Sequence, residues 1–516
     1  MMPTRVRSAR AFRCTQGSLA FAIVCCAFGI FGSIGASAAD MSSVATLRKP
    51  SPSGSAWSLN QTTVLDRSLA RILAAPTLRG AHVGLLVRDT VRGTTLYVQN
   101  ADDEFMPASN FKLLVGSTAL QRLGTSFSYF TTVDGSAPKD GVIAGNIYLH
   151  GGGDALLRAK DLQGAAAALA TQGVKRIAGA LVTDASYFDA QRYGFGWSWD
   201  DLPYYYAPVV TALELEDGVV HAFMTPGSSA GAPVALRVTP QSSTFEIDNR
   251  LTTGMPGSKD TSDISRPWNQ PRTIELSGSY PAGAKESDDL VPAVPDPEAY
   301  AGDVFAQALA ARGIALGGGV MDGTMPVGTP LLWSHASEPM PQLMADFWYP
   351  SDNLMGELML KELGIVQAGE PGTDDKGQLL EQQFLRSVGI DPNTVTIGDG
   401  SGLSQYDRIT PRALVAILQA DWNAPYRDVV LDALPVAGVR GTLQDAYRGT
   451  PAERAVFAKT GSISHVRTIS GFVATRTHGP ITFSFLVNDW MGEDAPGGAA
   501  ALSKVRGAAL SLLALQ

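Results

Sequence analysis

The chain has 516 residues, 40 Lys and Arg against 49 Asp and Glu for a net charge of −9, and 45% hydrophobic residues with 54 Gly and 31 Pro. That length exceeds one compact core, so two or three domains are expected, and the composition excludes a disordered chain. Setting aside the four arginines of the first 39 residues leaves 36 basic against 49 acidic, a net of −13, which argues against nucleic acid as a partner because phosphates demand a basic face.

Residues 1–39 are expected to form a secretory signal. Arg5, Arg7, Arg10 and Arg13 precede "LAFAIVCCAFGIFGSIGASAA", whose small residues place a cut after Ala38 or Ala39. A retained membrane anchor is the alternative, while an acyl anchor on Cys25 or Cys26 fits less well because both lie inside the apolar run. Cys14, Cys25 and Cys26 are the chain's three cysteines, so a chain cut at that point has no disulfide, no cysteine nucleophile and no thiolate metal site. No other run reaches the roughly 18 apolar residues that span a bilayer, so membrane association is expected to be at most peripheral.

"RKPSPSGS" (48–55) is a linker by composition. Residues 60–75 carry helical periodicity, and "HVGLLVRD" and "TTLYVQN" are strands joined by the turn residues "TVRG". In "MPASNFKLLVGSTALQRLG", Pro107 and Gly124 bracket a helix apolar on nearly every side, which is expected to be buried. From about 140 to 300, short strands ("GALVTD", "VALRVTP", "RTIELSG") alternate with Gly, Ser, Pro and Asp turns and predict a β-rich insert of one or two subdomains. Helices return with "DVFAQALAARG", "NLMGELMLKELG", "KGQLLEQQFLRSVG" and "TPRALVAILQADW". Three strands at hairpin spacing, "AVFAKTG", "TISGFVAT" and "PITFSFLVND", precede a last helix, "AAALSKVRGAALSLLAL". The pattern predicts an α+β domain assembled from both ends of the chain. Its first part is expected at 45–140, the insert at 141–300 and its second part at 301–516.

Lys112 is surrounded in sequence by Phe111, Leu113, Leu114 and Val115. Positions i and i+3 share a helix face, which brings its amine to the Ser109 hydroxyl. Desolvation disfavours the ammonium, so a neutral amine becomes available to take the proton of an otherwise weak nucleophile. Ser-x-x-Lys alone is a weak signal, and it recurs at Ser136 to Lys139; that copy contains Pro138 in a Gly-flanked turn and cannot lie inside a helix. The company decides: Ser351-Asp352-Asn353 follows in "YPSDNLMGEL", and Lys459-Thr460-Gly461-Ser462 in "FAKTGSISH" ends a strand. The three motifs in this order form a known acyl-serine set.

With these motifs, and with "GGGDALL", "GWSWDDLPYYYAP" and "GDGSGLS" around them, the chain resembles the class C low-molecular-mass penicillin-binding proteins, the D-alanyl-D-alanine carboxypeptidases and endopeptidases. The resemblance implies the penicillin-binding/β-lactamase-like fold, a central antiparallel sheet flanked by helices, interrupted between Ser109 and Ser351. It implies Ser109 as acylated nucleophile, Lys112 as its base, Ser351 as proton relay to the leaving amine and Asn353 as support for substrate amide and Lys112. Lys459 supplies positive charge, the Thr460 and Ser462 hydroxyls beside Gly461 hold the terminal carboxylate, and the backbone N–H groups of Ser109 and Ser462 form the oxyanion hole. Asp201 and Tyr206 resemble residues near the stem-peptide side chain, where the family commonly has Arg in place of Gln405, with Arg408 three residues on. The partners implied are peptidoglycan peptides and β-lactams, in the periplasm.

Other readings have specific grounds. Ser351 to Asn353 suits a helix N-cap, and Trp197, Trp199 and Tyr204 to Tyr206 suit packing between domains. Gly227 to Gly231 matches G-x-S-x-G but no helix follows it. The six histidines lack ligand spacing, so neither metal nor cofactor is expected. A β-lactamase or esterase on the same fold and a non-catalytic peptidoglycan-binding scaffold are the alternative functions.

Overall fold

A computed structural model describes residues 55–516; the expected leader and most of the linker lie outside the described residues. Helix α1 (Leu59–Leu73) starts at a capping box in which the Ser58 hydroxyl accepts from Gln61 N and the Gln61 side chain accepts from Ser58 N. It buries Leu65, Leu69 and Leu73, one residue per turn. Strands β1 (His82–Asp89) and β2 (Thr95–Gln99) form the first hairpin. A 3-10 turn (Ala108–Phe111) then runs into α2 (Lys112–Leu123), buried from Lys112 to Leu120.

Next come β3 (Phe130–Gly135), β4 (Ile147–Gly151), α3 (Ala159–Thr171) and β5 (Leu181–Asp184). After several short strands between His221 and Leu290, α4 (Pro297–Ala311) opens on an Asp296 cap with proline in its first turn. Strands β6 (Val320–Asp322) and β7 (Leu331–Ala336) follow. Five strands in the order β6-β5-β4-β3-β7 make one mixed sheet. Helix α3 rests against α4, burying Leu162, Ala165, Ala166 and Leu169 in a core shared with Tyr300, Phe305 and Leu309. The stretch expected to be β-rich thus contains a full helix, α3, and its sheet draws strands from both sides of the 141–300 interval. The reason is compositional: "AAAALA" forms helix readily, and its small side chains let two helices pack closely.

The remaining helices are α5 (Met340–Trp348), α6 (Asn353–Ala368), α7 (Asp374–Ser387), α8 (Pro411–Asn423) and α9 (Arg427–Ala433). Their caps are local: Asp352, Thr373 and Thr410 each accept a backbone N–H of the first turn. Strands β8 (Val456–Ile463), β9 (Val466–Val473) and β10 (Ile481–Asn488) and helix α10 (Gly498–Ala514) end the chain.

The second sheet has the order β8-β9-β10-β1-β2 with every pair antiparallel, so the chain's two ends are joined where β10 meets β1. Every residue of β10 is buried, as expected for a central strand covered on both faces. One face packs on the core of α2, α5, α6 and α8, and the other on α1 and α10. Helix α2 therefore lies inside the domain, and its N-terminal turn opens beside the edge strand β8.

Candidate active site

The loop before α2 is fixed from several directions. Met106 exchanges two hydrogen bonds with the Asn488 side chain, at 2.7 and 3.0 Å. Thr468 Oγ1 donates to Pro107 O at 2.7 Å and accepts from Asn110 Nδ2 at 2.7 Å. Ala108 is held at φ +46, a left-handed conformation that a non-glycine residue seldom adopts. Ser109 follows in the 3-10 turn, not in the α-helix, and in that geometry side chains i and i+3 eclipse. Lys112 Nζ accordingly lies 3.1 Å from Ser109 Oγ. Its two other bonds go to Asn353 Oδ1 at 2.5 Å and the Ser401 carbonyl at 2.6 Å. Ser109 is partly exposed while Lys112 is fully buried beneath it.

Ser351 takes φ +68 at the mouth of α6, the second left-handed non-glycine residue at this point, and such strain concentrates where the surrounding structure over-determines the backbone. Its hydroxyl accepts from Lys459 Nζ at 2.8 Å, and the same amine donates to Thr460 O at 2.9 Å. Asp352 is the N-cap, accepting from Met355 N at 2.8 Å, so this motif caps α6 between the residues that meet the two lysines. Gly461 is required by space: a Cβ there would lie 2.3 Å from Thr468 Oγ1, 2.7 Å from Pro107 O and 2.9 Å from Ser109 N. The edge strand therefore sits directly on the nucleophile loop, with Ser462 exposed beside it.

Both lysines are pushed below their ordinary value, chiefly by burial. Lys112 comes down to about 8, held from falling further by Asp399, Asp352, Glu357 and Asp407. Lys459 is pushed well down by burial and then by the charge of Lys112. The two are thus electrostatically in contact, and the Lys112 ammonium disfavours that of Lys459.

A buried turn supplies the Ser401 carbonyl. Its centre is Asp399, whose carboxylate accepts five hydrogen bonds: from Ser401 N (3.1 Å) and Oγ (2.8 Å), Gly402 N (2.6 Å), Ser404 N (2.8 Å) and Trp197 Nε1 (2.8 Å). Burial, then the nearby Asp399 carboxylate, push Glu357 and Asp407 well above the usual carboxylate range. Trp197 belongs to the arm 194–206, which makes a second bond to the site where Asn353 Nδ2 donates to Tyr206 O at 2.7 Å.

Tyr206 thus meets the motif residues through its carbonyl, while its hydroxyl donates to Asp201 at 2.9 Å. Burial raises both Tyr206 and Asp201 above their ordinary values. Asp201 makes no hydrogen bond to Ser109, Lys112, Ser351, Asn353 or Lys459 among the described residues. Gln405 is exposed, and Arg408 is folded onto its own turn, donating to Gln405 O at 2.8 Å and Asp407 O at 2.7 Å. Among the described residues no His, Cys, Asp or Glu group has a metal-binding arrangement.

A family model of D-Ala-D-Ala carboxypeptidases matches residues 65–507, which is most of the chain and includes all three motifs. The chain belongs to the D-Ala-D-Ala carboxypeptidase 3 (S13) family. It is 35% identical over 462 residues to the D-alanyl-D-alanine carboxypeptidase of Actinomadura sp. (strain R39), covering 87% of this chain and 85% of that one. It is 24% identical over 414 residues to the D-alanyl-D-alanine carboxypeptidase of Haemophilus influenzae, covering 80% and 86%. The fold is that of penicillin-binding protein 4 from H. influenzae, whose crystal structure aligns with a TM-score of 0.76 at 23% identity over 86% of this chain and 97% of that one. The penicillin-binding/β-lactamase-like fold expected from the motifs is therefore present, and the chain is a serine hydrolase of the S13 carboxypeptidase family.

In this carboxypeptidase-family chain two contacts to the motif residues had no sequence signal, the carbonyls of Ser401 and Tyr206, because every residue carries a carbonyl. Asp399 and Trp197 had a partial one: the first lay in a quoted turn and the second in a quoted aromatic run, with nothing in the sequence to join them.

Proposed function

We propose that this chain removes the terminal residue of D-Ala-D-Ala peptides and hydrolyses peptide cross-links of peptidoglycan, through an ester on Ser109. The observation that carries the reading is the convergence of two hydrogen-bonded sets, Ser109–Lys112–Asn353 and Ser351–Lys459, beside an edge strand whose Gly461 sits directly on Ser109 N.

In this reading neutral Lys112 takes the Ser109 proton as Oγ bonds to the substrate carbonyl carbon. The oxyanion is received by the backbone N–H groups of Ser109 and Ser462, which the close seat of Gly461 on Ser109 N brings near each other. The C–N bond breaks as Ser351, in contact with Lys459, passes a proton to the departing D-alanine amine. Water, deprotonated by Lys112, then attacks the ester and restores Ser109. The alternate N–H groups of the antiparallel edge strand β8 suit an extended peptide laid alongside. The terminal carboxylate faces Thr460, Ser462 and Lys459. Its charge re-establishes the Lys459 ammonium, and that ammonium in turn favours neutral Lys112.

A β-lactam opens on the same serine but keeps its leaving nitrogen tethered, so the ester outlasts the peptide's. Asp201, Tyr206, Gln405 and the aromatic arm form the side that receives the rest of the stem peptide. On that side Arg408 is drawn to its own turn by Nη1, which donates to the Gln405 and Asp407 carbonyls. Export to the periplasm through the leader at 1–39 completes the proposal; among the described residues no helix is long and apolar enough to cross a membrane. We also draw the insert between Phe130 and Ala336, the outer bounds of its sheet.

Purified protein is expected to release D-alanine from a pentapeptide and to bind a fluorescent penicillin covalently. Ser109→Ala should lose both with its thermal midpoint unchanged. Rapid turnover of nitrocefin would instead indicate a β-lactamase, and no D-alanine release with no labelling a scaffold.

A further inference from the structure

A hydroxyl outside the three motifs touches the motif strand. The segment after α9 runs along the outer edge of β8: Ala437 N donates to Val456 O at 3.0 Å and Ala458 N to Pro435 O at 2.9 Å. It then turns at Gly441, φ +64, where a Cβ would lie 3.0 Å from the Pro435 side chain and 3.2 Å from Tyr349 O. Thr442 N donates to that same Tyr349 O at 3.1 Å, two residues before Ser351. Thr442 is thereby tied by its backbone to one wall of the cleft and by its side chain to the other, with its Oγ1 2.7 Å from Thr460 Oγ1. The side chain is exposed, whereas neighbouring Lys459 is buried.

We propose that Thr442 is a positioning residue for recognition of the substrate's C-terminal carboxylate. A threonine hydroxyl is both donor and acceptor and its proton turns freely. When Thr442 donates to Thr460, Thr460 oxygen is occupied and its own proton is left for an acceptor in the cleft. Polarised by the first bond, that proton makes the stronger donor toward an anion. Deleting the Thr442 hydroxyl leaves Thr460 present but undirected. This inference rests on the reading in which Thr460 faces the terminal carboxylate.

The test compares two thioester donors with the same acyl group, one with a carboxylate in its leaving group and one with that carboxylate replaced by hydrogen. Thr442→Val keeps the shape and removes the hydroxyl; Thr442→Ser keeps the hydroxyl. For Thr442→Val, KM for the acidic donor should rise about 10-fold with kcat within about twofold, the size expected for one hydrogen bond to a charged group. The neutral donor should be handled as by wild type, and Thr442→Ser should restore the acidic donor's KM. Equal losses on both donors, or a Thr442→Ser variant as impaired as Thr442→Val, would overturn the assignment. A wild-type enzyme that does not favour the acidic donor would overturn the carboxylate reading itself, and the role of Thr442 with it.

Discussion

Lys112 owes its reactivity to an imbalance. Its amine is buried and tied to Ser109, Asn353 and the Ser401 carbonyl, and only the acidic groups behind it hold its value up to about 8. Below that pH the ammonium predominates, and the neutral fraction grows tenfold per pH unit before levelling. The kcat/KM for a D-Ala-D-Ala donor should therefore climb with a slope of about 1 toward pH 8 and flatten above it. A pH–rate profile flat from 6 to 9 would contradict a lysine base. Asp399 is the largest of the charges that keep Lys112 protonated, and it also shapes the turn that presents Ser401 O. Asp399→Asn should lower kcat/KM by about 100-fold, the cost of an ångström-scale misplacement, and move the acid limb of the profile to lower pH. A loss without that movement would leave Asp399 a structural role alone. At this scale the sequence was legible where chemistry depends on residue type, as for Ser109, Lys112 and Lys459. It was silent where a backbone carbonyl is the partner.

Elements bring these groups together by close approach, and glycines record where. Helices α6 and α7 meet at Gly377, where a Cβ would lie 2.0 Å from Leu360 O. Because backbone faces backbone, relief requires the helices to part. Gly377→Ala should destabilise the fold by about 1–3 kcal/mol, read as a lower thermal midpoint, while penicillin labelling below that midpoint persists. Gly461→Ala presses instead on Ser109 N and Pro107 O, so it should cut acylation by about 100-fold or more with a smaller change in midpoint. The opposite pattern for the two glycines would refute this division between scaffold and site. Strands β1 and β10 were readable as mostly apolar stretches, as a sheet covered on both faces demands, and β8 and β9 by their β-branched and aromatic residues at hairpin spacing. Helices α3 and α5 were not: α3 is an alanine run amid strand and turn signals, and α5 is a short segment between prolines.

Across the whole molecule, the site is assembled from three distant stretches, and the insert reaches it through two hydrogen bonds. Trp197 Nε1 bonds to Asp399 and Tyr206 O receives Asn353 Nδ2. Trp197→Phe removes the first bond and keeps the ring, so stability should fall by about 1 kcal/mol. Acylation by peptide donors should fall several-fold through the loosened Ser401 turn, measured as pre-steady-state ester formation; unchanged acylation would show that the insert does not bear on the base. The sequence marked an interruption between Ser109 and Ser351, but not the pairing of β3 with β7 across about 200 residues, which no local pattern signals. The central claim is that Ser109 alone carries the acyl group. Quenching the protein during turnover of a D-Ala-D-Ala thioester and mapping the adduct by peptide mass spectrometry tests it most directly. One acyl group is expected on the peptide containing Ser109 and none on that peptide in Lys112→Ala; an adduct on Ser351, or turnover by Ser109→Ala, would refute Ser109 as the sole acyl carrier.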